Sequence, residues 1–105
     1  MLLVETPVFT RRVLKLLTDD DYRLLQQELV GRPEVGDIIR GSGGLRKVRW
    51  AATGRGKRGG VRIIYYWATD RDVILMLLIY GKNEQDDLTS EQLRLLKRLV
   101  EEEFK

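Results

Sequence analysis

Residues 61–80 read VRIIYYWATDRDVILMLLIY. The first part, Val61–Ala68, is built from Val, Ile, Tyr and Trp, which fit a pleated surface. The last part, Val73–Tyr80, is apolar at every position. A strand with no polar side has no face for water, so it is read as a central strand covered on both sides. Asp70-Arg-Asp72 is the tight turn between the two. Upstream, Leu45–Ala52 alternates: Arg46, Val48 and Trp50 share one face, and Leu45, Lys47 and Arg49 the other. The loop Thr53–Gly60 (TGRGKRGG) joins it to Val61.

Helices flank these strands. After a short strand over Met1–Glu5, Thr6-Pro7 gives an N-cap and a proline at the first helical position. Phe9, Val13 and Leu16/Leu17 then recur at helical spacing. Thr18 before Asp19-Asp-Asp21 marks a second start, with three acids placed to complement the helix dipole. Tyr22, Leu25 and Leu29 carry its apolar face, and Gly31-Arg-Pro33 ends it. Near the C-terminus, Thr89 and Gln92 form a capping box and Leu88 can staple onto Leu93. Leu93, Leu96, Val100 and Phe104 line one face of that helix. The order is β-α-α-β-β-β-α. This is an α+β domain of two helices packed on a small antiparallel sheet plus a C-terminal helix, with residues 1–105 as a single unit.

Composition narrows the chemistry. Apolar residues make up 43% and charged residues 33%, a globular mixture, with a formal net charge of +3. The distribution says more than the total. Between Ile38 and Thr69 there is no Asp or Glu, whereas Arg40, Arg46, Lys47, Arg49, Arg55, Lys57, Arg58 and Arg62 all fall there. Such segregation predicts a positive patch that attracts polyanions. There is no Cys, which fits a cytoplasmic location, and no His. The commonest zinc ligands and the usual general base are thus missing, and neither a metal nor a cofactor is expected. Met1-Leu-Leu-Val is too short for a signal peptide and Val73–Tyr80 too short to span a bilayer, so no membrane partner is expected.

Several positions can carry chemistry. Lys47 and Arg49 point the same way on one strand, roughly 6–7 Å apart, near the phosphate spacing of a nucleic-acid strand. Arg62 lies mid-strand, and alternation sets Tyr66 on its face, where a ring can stack on a base. The glycine-rich loop carries Arg55, Lys57 and Arg58, and its glycines permit close approach to a phosphate. It is not a phosphate-binding loop of the Walker type, because no Gly-Lys-Ser/Thr follows. A plain hairpin loop with solubilising charges accounts for it equally well. Gly81 ends the central strand, and Lys82, Asn83 and Glu84 emerge at the sheet edge.

Three segments taken in order, Gly43-Gly-Leu-Arg-Lys-Val-Arg49, Gly56-Lys-Arg-Gly-Gly-Val-Arg-Ile-Ile-Tyr-Tyr66 and Ile79-Tyr-Gly-Lys-Asn-Glu84, resemble the RelE/ParE superfamily of toxins from type II toxin–antitoxin systems, especially its HigB-like branch. The resemblance spans nearly the whole chain. It implies a RelE-like fold and a ribosome-dependent messenger endoribonuclease that works in the ribosomal A site and inhibits translation. It also implies a cognate antitoxin with a helix-turn-helix domain, through which alone operator DNA would be bound. By the same resemblance, Lys47, Arg49, Arg62 and Lys82 bind or activate the RNA. The implied reaction uses the RNA's own 2′-OH without metal, with Lys47, Lys82 or Glu84 as the base. Arg46, Arg55, Lys57, Arg58, Tyr66 and Asn83 would contact RNA or ribosome. The chain has Asn83 where relatives often carry Arg, and Leu88 and Thr89 where many carry Tyr or His. Two other readings stand beside this one: a gyrase-poisoning toxin of the ParE branch, and a nucleic-acid-binding module without catalysis.

Overall fold

The computed structural model describes residues 1–51 and 60–104. Its elements are β1 (Leu2–Glu5), α1 (Pro7–Leu16), α2 (Asp19–Gly31), β2 (Asp37–Ile38), β3 (Leu45–Trp50), β4 (Val61–Ala68), β5 (Val73–Gly81) and α3 (Ser90–Phe104). Both N-caps form as read: Thr6 accepts from Phe9 N–H and Thr18 from Asp21 N–H, each at 3.1 Å. The capping box of α3 is reciprocal, with Thr89 and Gln92 each accepting the other's N–H at 3.0 Å.

The strands make one sheet in the order β1-β5-β4-β3-β2. From β2 to β5 it is an antiparallel meander. The expectation of a wholly antiparallel sheet is corrected at its edge, because β1 runs parallel to β5. Side-chain periodicity within a strand carries no information about a neighbour's direction. That direction follows from where β1 must release the chain into α1. A second difference is β2, a two-residue strand paired with Arg46 and Lys47, too short to leave a periodic signal.

The sheet is covered on both faces. Phe9, Val13 and Leu17 of the α1 side and Tyr22, Leu25 and Leu29 of α2 pack on Val48, Ile63, Ile74, Met76 and Ile79. On the opposite face Val100, Leu93, Leu96 and Phe104 of α3 pack with Leu45, Ile64, Leu75, Leu77 and Tyr80. β5 thus contributes to both cores, as its continuous apolar run requires.

A bulge interrupts β5. Ile64 lies opposite Leu78 and Tyr65 opposite Met76, so Leu77 has no partner on β4. The extra residue reverses the alternation of the strand. Ile74 and Met76 face α1 and α2, and past the bulge Ile79 does so too, while Tyr80 joins Leu75 and Leu77 under α3. Strict alternation would have put Tyr80 with Ile74 and Met76.

Thr6 completes this bulge. Its hydroxyl donates to Leu77 O (2.8 Å) while accepting from Phe9 N–H, so one buried group satisfies the bulge carbonyl and caps α1. Thr6 N–H donates to Met76 O (3.0 Å), and Arg12 Nε donates to Ile79 O (2.9 Å). β1 pairs with β5 only from Val73 to Met76. Beyond that point α1 supplies the donors that an edge strand would have supplied.

We expect Thr6→Val to destabilise the fold by about 2–3 kcal/mol, because it strands a buried carbonyl and removes a cap. Thr6→Ser should cost less than about 1 kcal/mol. Urea unfolding measures both, and a Thr6→Val loss near zero would show that the hydroxyl does not hold the bulge.

Candidate nucleic-acid interface

The register of the central strands builds a basic row. Arg49 on β3 lies directly opposite Arg62 on β4, and Arg62 lies directly opposite Tyr80 on β5. Directly opposed side chains share a face, with Cβ atoms about 4.5–5.5 Å apart. Lys47 is two residues from Arg49 and shares that face, opposite Ile64. The three cations therefore stand on the α3 side of the sheet.

This arrangement needs compensation. Two like charges directly opposed across a sheet repel. Arg62 is only 5% exposed, and withdrawing a guanidinium from water carries a penalty of several kcal/mol unless a partner compensates. A carboxylate has been brought to the group: Asp87, on the segment leading into α3, accepts from Lys47 Nζ at 3.2 Å and from Leu88 N–H at 2.8 Å. The Leu88 N–H, followed by Lys47 and Arg62, holds the Asp87 carboxyl below the ordinary carboxylate range, against the opposing effect of partial burial. Gln85 Nε2 donates to Asp87 O and to Gln92, which ties this segment to the first turn of α3. Beside the group lies a polar hollow of about 570 Å³, bordered by Arg40, Lys47, Arg49, Asp37 and Asp87.

Not every candidate joins the group. Arg46 faces the other side of the sheet, where it donates to Glu34 O (3.1 Å) and Gly36 O (2.8 Å). Tyr65 works there with it, donating to Pro33 O and accepting from Gly36 N–H, so Arg46 helps to pin the loop after α2. Tyr66 does share the face of Arg62, but its ring packs on Phe104 at 5.6 Å between centroids, close to the end of α3. The ring beside the cations is Tyr80. Glu84 folds back to accept from Gly81 N–H (2.7 Å) and forms an ion pair with Arg12 of α1 (2.5 Å). It is engaged on the α1 side and is not the carboxylate next to Lys47. Asn83 turns the same way, since a Cβ on Gly81 would lie 2.7 Å from its Oδ1. Lys82 is exposed at the end of β5, where its N–H donates to Gly60 O (3.3 Å). Arg55, Lys57 and Arg58 lie outside the described residues.

Two participants escape a reading of the sequence. Asp87 belongs to an acidic pair that looks like an ordinary solvated turn. Tyr80 sits at the end of an apolar run and looks like core. Among the described residues no group of three or more Asp and Glu side chains is placed to hold a metal ion. No helix among them is long and apolar enough to cross a membrane.

No family model matches the chain. Among solved structures it is similar to the E. coli toxin RelE, in a double arginine-to-alanine mutant studied in the free state, with a TM-score of 0.59 and 15% sequence identity. The match covers 81% of this chain and 86% of the other. At this identity the likeness is one of fold: the chain has a RelE-like α+β architecture with a five-stranded mixed sheet.

The Lys47–Asp87 pair is largely open to solvent on the Asp87 side (68% exposed), so its worth is at most about 1 kcal/mol. Because the Asp87 carboxyl is held low, that small contribution is complete at neutral pH. It is lost only as pH falls below the ordinary value of 3.8 toward the lower folded value. Asp87→Asn should therefore leave stability within about 1 kcal/mol of the parent. It should also tighten binding of a single-stranded RNA oligonucleotide, with a log–log salt slope steeper by about 0.7 for the freed lysine. Fluorescence anisotropy over a salt series measures this, and weaker binding by the variant would contradict an anion-binding role for the group.

Proposed function

We propose that this protein is the toxin of a type II toxin–antitoxin system, of the HigB-like branch, and that it cleaves messenger RNA on the ribosome. The observation that supports this best is the row Arg49–Arg62 with Lys47 beside it, closed by the Asp87 carboxylate. Opposed cations gathered on one face suit a polyanion, and a RelE-like fold suggests which kind.

The reaction that suits these groups is internal transesterification. The 2′-OH of one nucleotide attacks its own 3′ phosphorus and the 5′ oxygen of the next nucleotide leaves. The products are a 2′,3′-cyclic phosphate and a 5′-OH. A phosphate entering the group displaces the Asp87 carboxylate from Lys47. Arg62 and Arg49 then face the extra negative charge of the pentacoordinate phosphorane, where preorganised donors contribute most. The 2′-OH proton passes to the neutral amine of a lysine, Lys47 or Lys82, and the lysinium so formed returns a proton to the departing 5′ oxygen. Asp87 itself, with its carboxyl held low, is a weak acceptor near neutral pH. No strong acid or base is present among these groups, so orientation of the RNA by the ribosome carries much of the rate, an effect worth several kcal/mol. Arg55, Lys57 and Arg58 would meet ribosomal RNA. A cognate antitoxin, with a helix-turn-helix domain linking the complex to operator DNA, would neutralise the toxin. The site of action is the cytoplasm.

The test is cleavage of a defined messenger on programmed ribosomes, mapped at the new 5′ ends. The parent should cut, and a messenger carrying 2′-deoxy sugars should resist. Arg62→Ala and Lys47→Ala should each lower the rate by at least about 100-fold, with circular dichroism unchanged. Intact messenger with the parent protein, together with loss of DNA supercoiling in cells, would instead assign the chain to gyrase poisoning.

A further inference from the structure

Tyr80 is the one described residue whose buried side-chain polar atom has no hydrogen-bond partner. The residue is 1% exposed, and its hydroxyl is sealed from water. A buried hydroxyl with nothing to bond is disfavoured, and phenylalanine would fill the same space without that penalty. The surrounding core does not ask for the oxygen, since Leu75, Leu77, Ile64 and Val100 are all apolar.

The position of the ring suggests what does. Tyr80 lies directly across the sheet from Arg62, and it reaches that face only because the Leu77 bulge reverses the alternation of β5. Its charged neighbours are Asp87 and Arg62. Burial, reinforced by Asp87 and only partly offset by Arg62, holds the phenol above its ordinary range. The group therefore remains a neutral hydrogen-bond donor at physiological pH and is no proton acceptor. We propose that Tyr80 is a substrate-contacting residue whose hydroxyl donates a hydrogen bond to a phosphate oxygen of the bound RNA, alongside Arg62. This rests on the RNA-cleaving reading above. In the free protein the hydroxyl is covered. The proposed contact requires the neighbouring Asp87 carboxylate, held to Lys47 by a weak surface pair, to withdraw. The donor is thus kept dry until the phosphate arrives, a setting in which a hydrogen bond to an anion is strongest.

The experiment compares the full-length parent, Tyr80→Phe and Arg62→Ala. Binding of a fully 2′-O-methylated RNA oligonucleotide, which cannot react, is read by anisotropy, and thermal melting is followed in parallel. Tyr80→Phe should bind roughly tenfold more weakly, the loss expected for one hydrogen bond to a charged group, while its melting temperature stays equal to or above that of the parent. Binding by Tyr80→Phe within twofold of the parent, with Arg62→Ala clearly weakened, would overturn the role of Tyr80 and leave the RNA reading standing. Parent-like binding by both variants would remove the RNA reading and the Tyr80 contact together. A second measurement needs no variant: with 3-fluorotyrosine incorporated, the Tyr80 fluorine resonance should move on adding the same oligonucleotide and not on adding sodium chloride. A resonance that stays in place would also overturn the proposal.

Discussion

A single hydroxyl holds two parts of this molecule in register. Thr6 caps the first helix and fills the carbonyl left open by the bulge at Leu77. Without that donor the extra residue in β5 would expose an unsatisfied carbonyl under α1 and α3, a cost that favours a regular strand. A regular strand would carry Tyr80 to the α1 side, away from Arg62. The geometry of the basic face thus depends on a bond formed at the far side of the same strand. Arg12 extends the arrangement, holding Ile79 O with its Nε and Glu84 with its Nη2. The end of β5 is in this way fastened to α1 along the edge that β1 leaves, while its other edge stays paired with β4.

The second constraint is electrostatic. A sheet that opposes Arg49 to Arg62 and buries the latter must offset repulsion and desolvation. The fold moderates this with Asp87, placed by a local hydrogen bond to Leu88 N–H and reaching Lys47 from the entry to α3. Such a carboxylate stands where an anion is favoured, without the strength to exclude one. On the proposed reading, the partner that steadies the free protein is also the group a phosphate would displace.

Several parts of this picture are legible in one dimension. The caps at Thr6, Thr18 and Thr89 are local, since each involves residues three apart, and all form as the spacing implies. The double-sided burial of β5 follows from an unbroken apolar run. The shared face of Lys47 and Arg49 follows from alternation within β3, whereas the β3–β4 register is what sets Arg62 on that face. Other parts are not. Alternation already parts Arg46 from Lys47 and Arg49, yet it does not record that the carbonyls of Glu34 and Gly36 claim its guanidinium. Tyr66 reads as the ring beside Arg62, yet Phe104, which is 38 positions further along the chain, covers it. Glu84 reads as a free carboxylate at a strand end, yet Arg12 of the first helix claims it.

By itself, the order of residues determined the longer elements, their apolar faces and the common face of Lys47 and Arg49. These properties depend on spacings of two to four residues, which the backbone converts directly into direction. Only the tertiary structure decided that β1 runs parallel to β5, that an extra residue turns Tyr80 toward Arg62, and that Asp87 rather than Glu84 meets the lysine. Each of these is a pairing between segments 18 to more than 70 positions apart along the chain. Such pairings are selected by satisfying buried donors and acceptors across the whole core, and no local spacing records them.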